Sequence, residues 1–228
     1  METLIFLPGL GCDEREFAYP IKELNADYQI KTIVCDKADN MQDHIEHVLS
    51  LAPEKFTLIG HSFGGWVAQW VACLAPERVS KLILLATGSG KLTPDLETLY
   101  KEMKHQFVRN KAVEFFEKIR AQTVHPLRAT DNALLNKIKV MQDEFPIDGL
   151  INQVNTDLEG KETTEHLKNI QCSTLLIHGK DDPFYEQEMW HLKNHILGSH
   201  LIEVESCGHM IPMEKPEITT VLIQHWLE

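Results

Sequence analysis

The chain has 228 residues, 43% of them hydrophobic and 25% charged, with a formal net charge of −12. That length and balance fit one globular domain with room for an inserted subdomain. They exclude general binding to nucleic acid or to an anionic membrane, both of which need a basic surface, and no apolar run approaches the ~20 residues of a membrane span.

The N-terminus, METLIFLPGLG, carries an acid at position 2 and no basic flank, so it reads as a first strand over Thr3–Leu7 and not as a signal peptide. Further strands are expected at 29–35, 56–59, 81–86, 174–178 and His200–Val204, nearly all of them continuous apolar runs. Such runs belong to a parallel sheet covered on both faces. Helices are expected between them at Met41–Leu51, 62–75, 186–196 and Pro216–Leu227. Strict alternation of strand and helix implies right-handed crossovers, hence a three-layer, doubly wound α/β fold with a mostly parallel sheet of about six strands.

The alternation breaks once. Residues 91–170 hold no convincing strand, only helical periodicity, beginning with Thr93 as an N-cap before Pro94 and ending at Gly160 as a C-cap. The expected organisation is a core of residues 1–90 and 171–228 with a helical insertion, 91–170, over one sheet edge. A cap or lid is the sharper reading of it and additional core helices the plainer one. Five cysteines, at 12, 35, 73, 172 and 207, are scattered without paired spacing, which suits reduced thiols in a cytoplasmic enzyme.

Between the third strand and the next helix stands Gly60-His61-Ser62-Phe63-Gly64, a G-x-S-x-G sequence with a strand before it and a helix after it. A turn this tight needs Gly60 and Gly64 to avoid the crossing main chain, and it lifts Ser62 to the carboxyl edge of the sheet as a candidate nucleophile. A helix-capping serine in a phosphate-binding turn is the competing account, but neither a G-x-G-x-x-G nor a Walker lysine is present. A serine hydroxyl needs a histidine to take its proton and a carboxylate to orient the histidine. His209, in SCGHMIP after the last strand, is the candidate base. Either aspartate of HGKDDPF can serve as the acid, and Asp182 is preferred because Pro183 holds it extended. The chain order serine, aspartate, histidine is that of one hydrolase architecture. His191 and His195 have metal-ligand spacing, but Leu192 stands where a zinc protease has glutamate. His44 and His47 read as solvent-facing. No metal site and no cofactor are expected.

Together the loop FLPGLGCDEREF, GHSFGG, HGKDD and CGHMIPMEKPE resemble the α/β-hydrolase superfamily over essentially the whole chain. The similarity is greatest to compact bacterial serine esterases such as the pimeloyl-carrier-protein methyl esterases. It implies a carboxylic ester substrate, an acyl-enzyme mechanism and an oxyanion hole built from the backbone N–H groups of Leu10 and Phe63. Where most relatives have His-Gly, this chain has Pro8-Gly9, which leaves the donor beyond the glycine intact. The resemblance also extends to enzymes that cleave C–C bonds or eliminate pyruvate, and to non-catalytic receptors of the same fold. Met103, Phe107, Phe115 and Phe116 are candidates for an acyl pocket, although aromatics at helical spacing are more often plain core. From residue 91 to 128, eight Lys/Arg stand against five Asp/Glu. Such a basic stretch would suit an acyl carrier protein, with a solvated face laced by ion pairs as the plainer account. Cys12 and Cys207 lie near the site as small fillers.

Overall fold

Successive residues of a strand point to opposite faces, and here both faces are apolar. In the computed structural model, which describes residues 1–228, β1 (Thr3–Leu7) sends Leu4 and Phe6 into one buried cluster and Ile5 and Leu7 into another. The same parity runs through β3 (Phe56–His61), β4 (Val79–Leu85) and β5 (Ser173–Gly179). With β2 (Gln29–Thr32) and β6 (His200–Val204) at the edges, six strands form one sheet in the order β2-β1-β3-β4-β5-β6. Every neighbouring pair is parallel. One face is covered by α2 (Met41–Leu51), α3 (Ser62–Leu74) and α8 (Glu186–His195), the other by α1 (Ala18–Leu24) and α9 (Pro216–Leu227). No helix is long and apolar enough to cross a membrane.

The structure corrects three expectations. The second strand ends at Thr32, not at 35, because its ladder with β1 stops there at the sheet edge. The helix α1 lies outside the expected helices. His44 does not face solvent: it is 1% exposed, on the same stripe of α2 as Met41, Ile45 and Val48. Its Nε2 lies 3.1 Å from Thr156 Oγ1 and its ring meets Phe63 edge-on. Burial and the nearby His47 hold its pKa down at about 4.

Between β4 and β5 come four helices and no strand: α4 (Pro94–Phe107), α5 (Ala112–Ile119), α6 (Asn132–Glu144) and α7 (Ile147–Glu159). Thr93 Oγ1 caps α4 by accepting the Leu96 N–H, and Gly160 closes α7 in the left-handed conformation at φ 61°. These helices have a core of their own, where Phe107 packs against Phe115 and Phe116 at ring-centroid distances of 5.8 and 5.5 Å. Leu10, from the loop after β1, packs against that core.

The sheet order reverses between β1 and β3: the chain steps from β1 outward to β2, then returns to the far side of β1. Loops leaving the carboxyl ends of β1 and β3 therefore diverge and frame a crevice, the usual ligand position in an open α/β sheet.

Candidate active site

The turn after β3 holds Ser62 at φ 51°, a left-handed conformation that a non-glycine residue adopts only when its surroundings enforce it. What enforces it is close backbone packing. A Cβ on Gly60 would lie 2.6 Å from the Gly64 carbonyl oxygen, and one on Gly64 would overlap the carbonyls of Leu7 and Pro8. Thr87 Oγ1 donates to the Ser62 carbonyl at 2.7 Å and ties the turn to the end of β4.

Beyond β6, His209 brings its Nε2 to 3.1 Å from Ser62 Oγ and its Nδ1 to 3.0 Å from Asp182 Oδ2. Of the two aspartates it is thus Asp182 that reaches the histidine. Asp181 turns outward, with its carboxylate 3.5 Å from His125 Nε2. Asp182 sits just past β5, donating its N–H to Gly179 O and accepting the Phe184 N–H on Oδ1 at 2.8 Å. Burial alone would raise its pKa, but the His209 ring and these hydrogen bonds outweigh that and hold the carboxyl below its ordinary value. The Tyr185 ring stacks on His209 at 5.4 Å and Phe184 meets it edge-on.

The His209 loop is fastened from the helical segment. The N–H groups of His209 and Met210 both donate to Thr123 O, at 2.9 and 3.1 Å. Glu214 takes the N–H of Gly208 on one carboxylate oxygen (2.9 Å) and that of His125 on the other (2.7 Å).

A second buried pair lies beneath the serine. Glu16 Oε1 is 2.7 Å from His61 Nδ1, and Glu16 Oε2 accepts the Gly9 N–H at 3.0 Å. His61 Nε2 in turn lies 2.9 Å from the backbone oxygen of His209. Burial pushes His61 down, but the Glu16 carboxylate and the His209 carbonyl more than offset it, so its pKa sits above the ordinary value. On the far side of the same loop, the Gly11 N–H donates to Gln153 Oε1 at 2.9 Å. The flanking amides of Gly9 and Gly11 are thus taken by side chains, while the Leu10 N–H between them has no acceptor in the protein.

Ser62 opens onto a cavity of about 120 Å³ whose wall includes Leu10, Phe63, Met103, Phe116, His209 and Met210. A smaller pocket of about 30 Å³ continues from Ser62 toward Trp66 and Glu188. Of the four side chains considered for an acyl pocket, Met103 and Phe116 line this space. Phe107 and Phe115 do not, because they face each other in the core of the helical segment. Cys12 and Cys207 are buried and burial raises both thiols, which makes them poor nucleophiles.

Glu16, His61, Glu214 and Tyr185 were not foreseen as parts of the site. Glu16 had a sequence signal of a misleading kind, since Asp13-x-x-Glu16 reads as a local helix cap. Glu214 stands two residues before Pro216, where the sequence marks only the start of the last helix.

A six-stranded parallel sheet with a strained serine at its switch point and a histidine and aspartate delivered from later strand ends defines a class of enzyme fold. A family model described as the alpha/beta hydrolase fold matches residues 15–216, and the chain belongs to that family. It is 30% identical over 154 residues to a pimeloyl-[acyl-carrier protein] methyl ester esterase of Pectobacterium carotovorum, a match covering 64% of this chain and 59% of that enzyme. The match therefore spans less than two thirds of that relative's length. A 2-hydroxy-6-oxononadienedioate/2-hydroxy-6-oxononatrienedioate hydrolase of Klebsiella pneumoniae is 25% identical over 185 residues, 78% of this chain and 64% of that one. Among solved structures, a thermophilic esterase from Thermogutta terrifontis superposes with a TM-score of 0.89 at 22% identity, covering 100% of this chain and 89% of that one.

Proposed function

We propose that the protein is a serine hydrolase of carboxylic esters that works through an acyl-enzyme. The observation that carries this is the hydrogen-bonded line Ser62 Oγ–His209–Asp182, with spacings of 3.1 and 3.0 Å. His209 Nε2 takes the Ser62 proton as Oγ attacks the ester carbonyl carbon. The oxyanion is held by the N–H groups of Leu10 and Phe63, the first free of any internal acceptor and the second in the first turn of α3. His209 then gives its proton to the departing alcohol, and water, deprotonated in the same way, releases the acid and restores Ser62. Asp182, buried and ionised, keeps the histidine oriented and balances the imidazolium.

Helices α4–α7 act as a cap that selects the substrate, a small-molecule ester whose acyl part enters the cavity beside Met103 and Phe116. An acyl carrier protein is a weaker candidate partner, suggested by the Pectobacterium relative and by the basic stretch. Several of those cations already have partners: Lys101 pairs with Glu97, Arg128 with Asp131, and Arg120 is buried against Gln142. Carrier-ester kinetics unchanged by charge reversal at Lys101, Lys104 and Arg109 would remove that partner.

The test of the main reading is labelling by a fluorophosphonate probe together with turnover of acyl esters of graded chain length. Ser62→Ala should abolish labelling and lower kcat by several orders of magnitude. Equal labelling of both proteins, or of neither, would count against Ser62 as nucleophile. The Klebsiella relative motivates one control, a vinylogous diketone, whose cleavage in preference to every ester would favour C–C hydrolysis.

A further inference from the structure

Asp157 is a buried acid of the cleft that the ester mechanism leaves without a task. It projects from the inner face of α7, on the stripe of Leu150, Gln153 and Val154, and is 8% exposed. Its side chain makes no hydrogen bond, and Oδ2 is buried with no partner. It lines both the larger cavity and the smaller pocket, and Ser62, Tyr100 and Tyr185 line both with it.

A buried polar group without a partner costs free energy, so its retention points to a partner that arrives. Four observations narrow the partner's chemistry. Burial alone accounts for the strongly raised pKa of Asp157, with no cation close enough to lower it. Lys91, at the rim of the smaller pocket, is exposed to solvent. The other acid there, Glu188, is held through a single oxygen by the N–H and hydroxyl of Ser89. Four aromatic rings complete the lining with small and aliphatic residues: Phe63, Trp66, Tyr100 and Tyr185. Carboxyls backed by aromatic rings, with no buried cation, make a site for a positive charge, not for an anion.

We infer that Asp157 is the acidic subsite for an ammonium group of the substrate, held beside the carbonyl that Ser62 attacks. The preferred esters then carry a primary amine. In the complex the Asp157 carboxylate pairs with the ammonium. This rests on the serine-hydrolase reading for its kinetic readout, so binding is measured separately.

The experiment compares kcat/KM of the full-length protein for nitrophenyl 4-aminobutanoate, 4-hydroxybutanoate and pentanoate, which differ only in the terminal group. Acetates of 2-aminoethanol and propanol place the amine on the alcohol side instead. The expected result is a preference of about tenfold or more for the ammonium over its methyl isostere on one side of the ester, falling to near unity in Asp157→Asn. No preference in the wild type on either side, a preference that survives Asp157→Asn, or an equal preference for the hydroxyl ester would each overturn the assignment. Calorimetric titration of Ser62→Ala protein with n-butylammonium and n-butanol tests the subsite without turnover. Binding of the ammonium alone, lost when Asp157→Asn is added, supports the subsite even if no ester is hydrolysed. Absence of that binding overturns it, while failure of all esters with binding intact falls on the hydrolase reading instead.

Discussion

Removing Glu16 should loosen the site from below without removing any member of the Ser62–His209–Asp182 line. In Glu16→Ala the Gly9 N–H loses its buried acceptor, and the His61 ring loses a carboxylate 2.7 Å away. An orphaned buried donor costs about 1–3 kcal/mol, and breaking a buried ion pair from one side costs about 3–5 kcal/mol. The two share one side chain and are not additive, so the expected loss is about 3–5 kcal/mol, read as the shift in a urea unfolding curve followed by tryptophan fluorescence. Glu16→Gln keeps an acceptor for Gly9 but removes the charge, and should cost less. Its deficit has a sign in pH. The folded pKa of His61 is raised, so the stability it contributes is complete below its unfolded value, roughly 6.5, and fades as pH rises through the folded value. The gap between wild type and Glu16→Gln should therefore be widest in mild acid and close in alkaline solution. Because Gly9 precedes the free Leu10 amide, kcat for ester turnover should fall with little change in KM. A loss under about 1 kcal/mol in Glu16→Ala, or a gap that widens with pH, would refute the reasoning.

Asp182→Asn should lower kcat by about 10³–10⁴-fold while Asp181→Asn changes it only slightly, as steady-state kinetics on one ester will show. The lowered Asp182 pKa means that its stabilisation is present above the unfolded value and lost as pH falls through the folded one, so acid unfolding should be less steep in Asp182→Asn. Gly64→Ala should give little soluble protein, since the methyl collides with the backbone of β1 and neither chain has a flexible end to move; normal yield and melting temperature would contradict this. Phe107→Ala should lose about 3–5 kcal/mol with ester chain-length preference retained, whereas Phe116→Ala should shift that preference, measured on the same ester panel.

The centre of the sheet was legible because its four inner strands are apolar on both faces, a pattern that depends on little beyond the local sequence. The serine turn was legible for a related reason: Gly60 and Gly64 are demanded by contacts within a few residues of each other, or with the neighbouring strand. Contacts from distant chain were not legible as such. His44 meets Thr156 across 112 positions, and no local pattern contains that distance. A signal did exist, since His44 falls at i+3 on the stripe Met41, Ile45 and Val48, where a polar residue needs a buried partner. Asp157 carries the same signal on the stripe of Leu150 and Val154. Phe107 and Phe116 illustrate the opposite limit. Both sit on apolar helix faces, and only the packing of α4 against α5 decides that one is core and the other cavity wall.

The clasp made by Thr123, His125 and Glu214 has a consequence for recombination between relatives. A chimaera that exchanges everything between β4 and β5 also exchanges the carbonyl and amide that hold His209 in place. Glu214 would be left behind in the host, reaching for an amide that the donor supplies at another height. The natural unit of exchange is therefore discontinuous: the helices together with the few residues around Gly208 and Glu214. Swaps confined to α4 and α5 leave the clasp whole and are the route by which new substrates can be admitted while the base stays at its post.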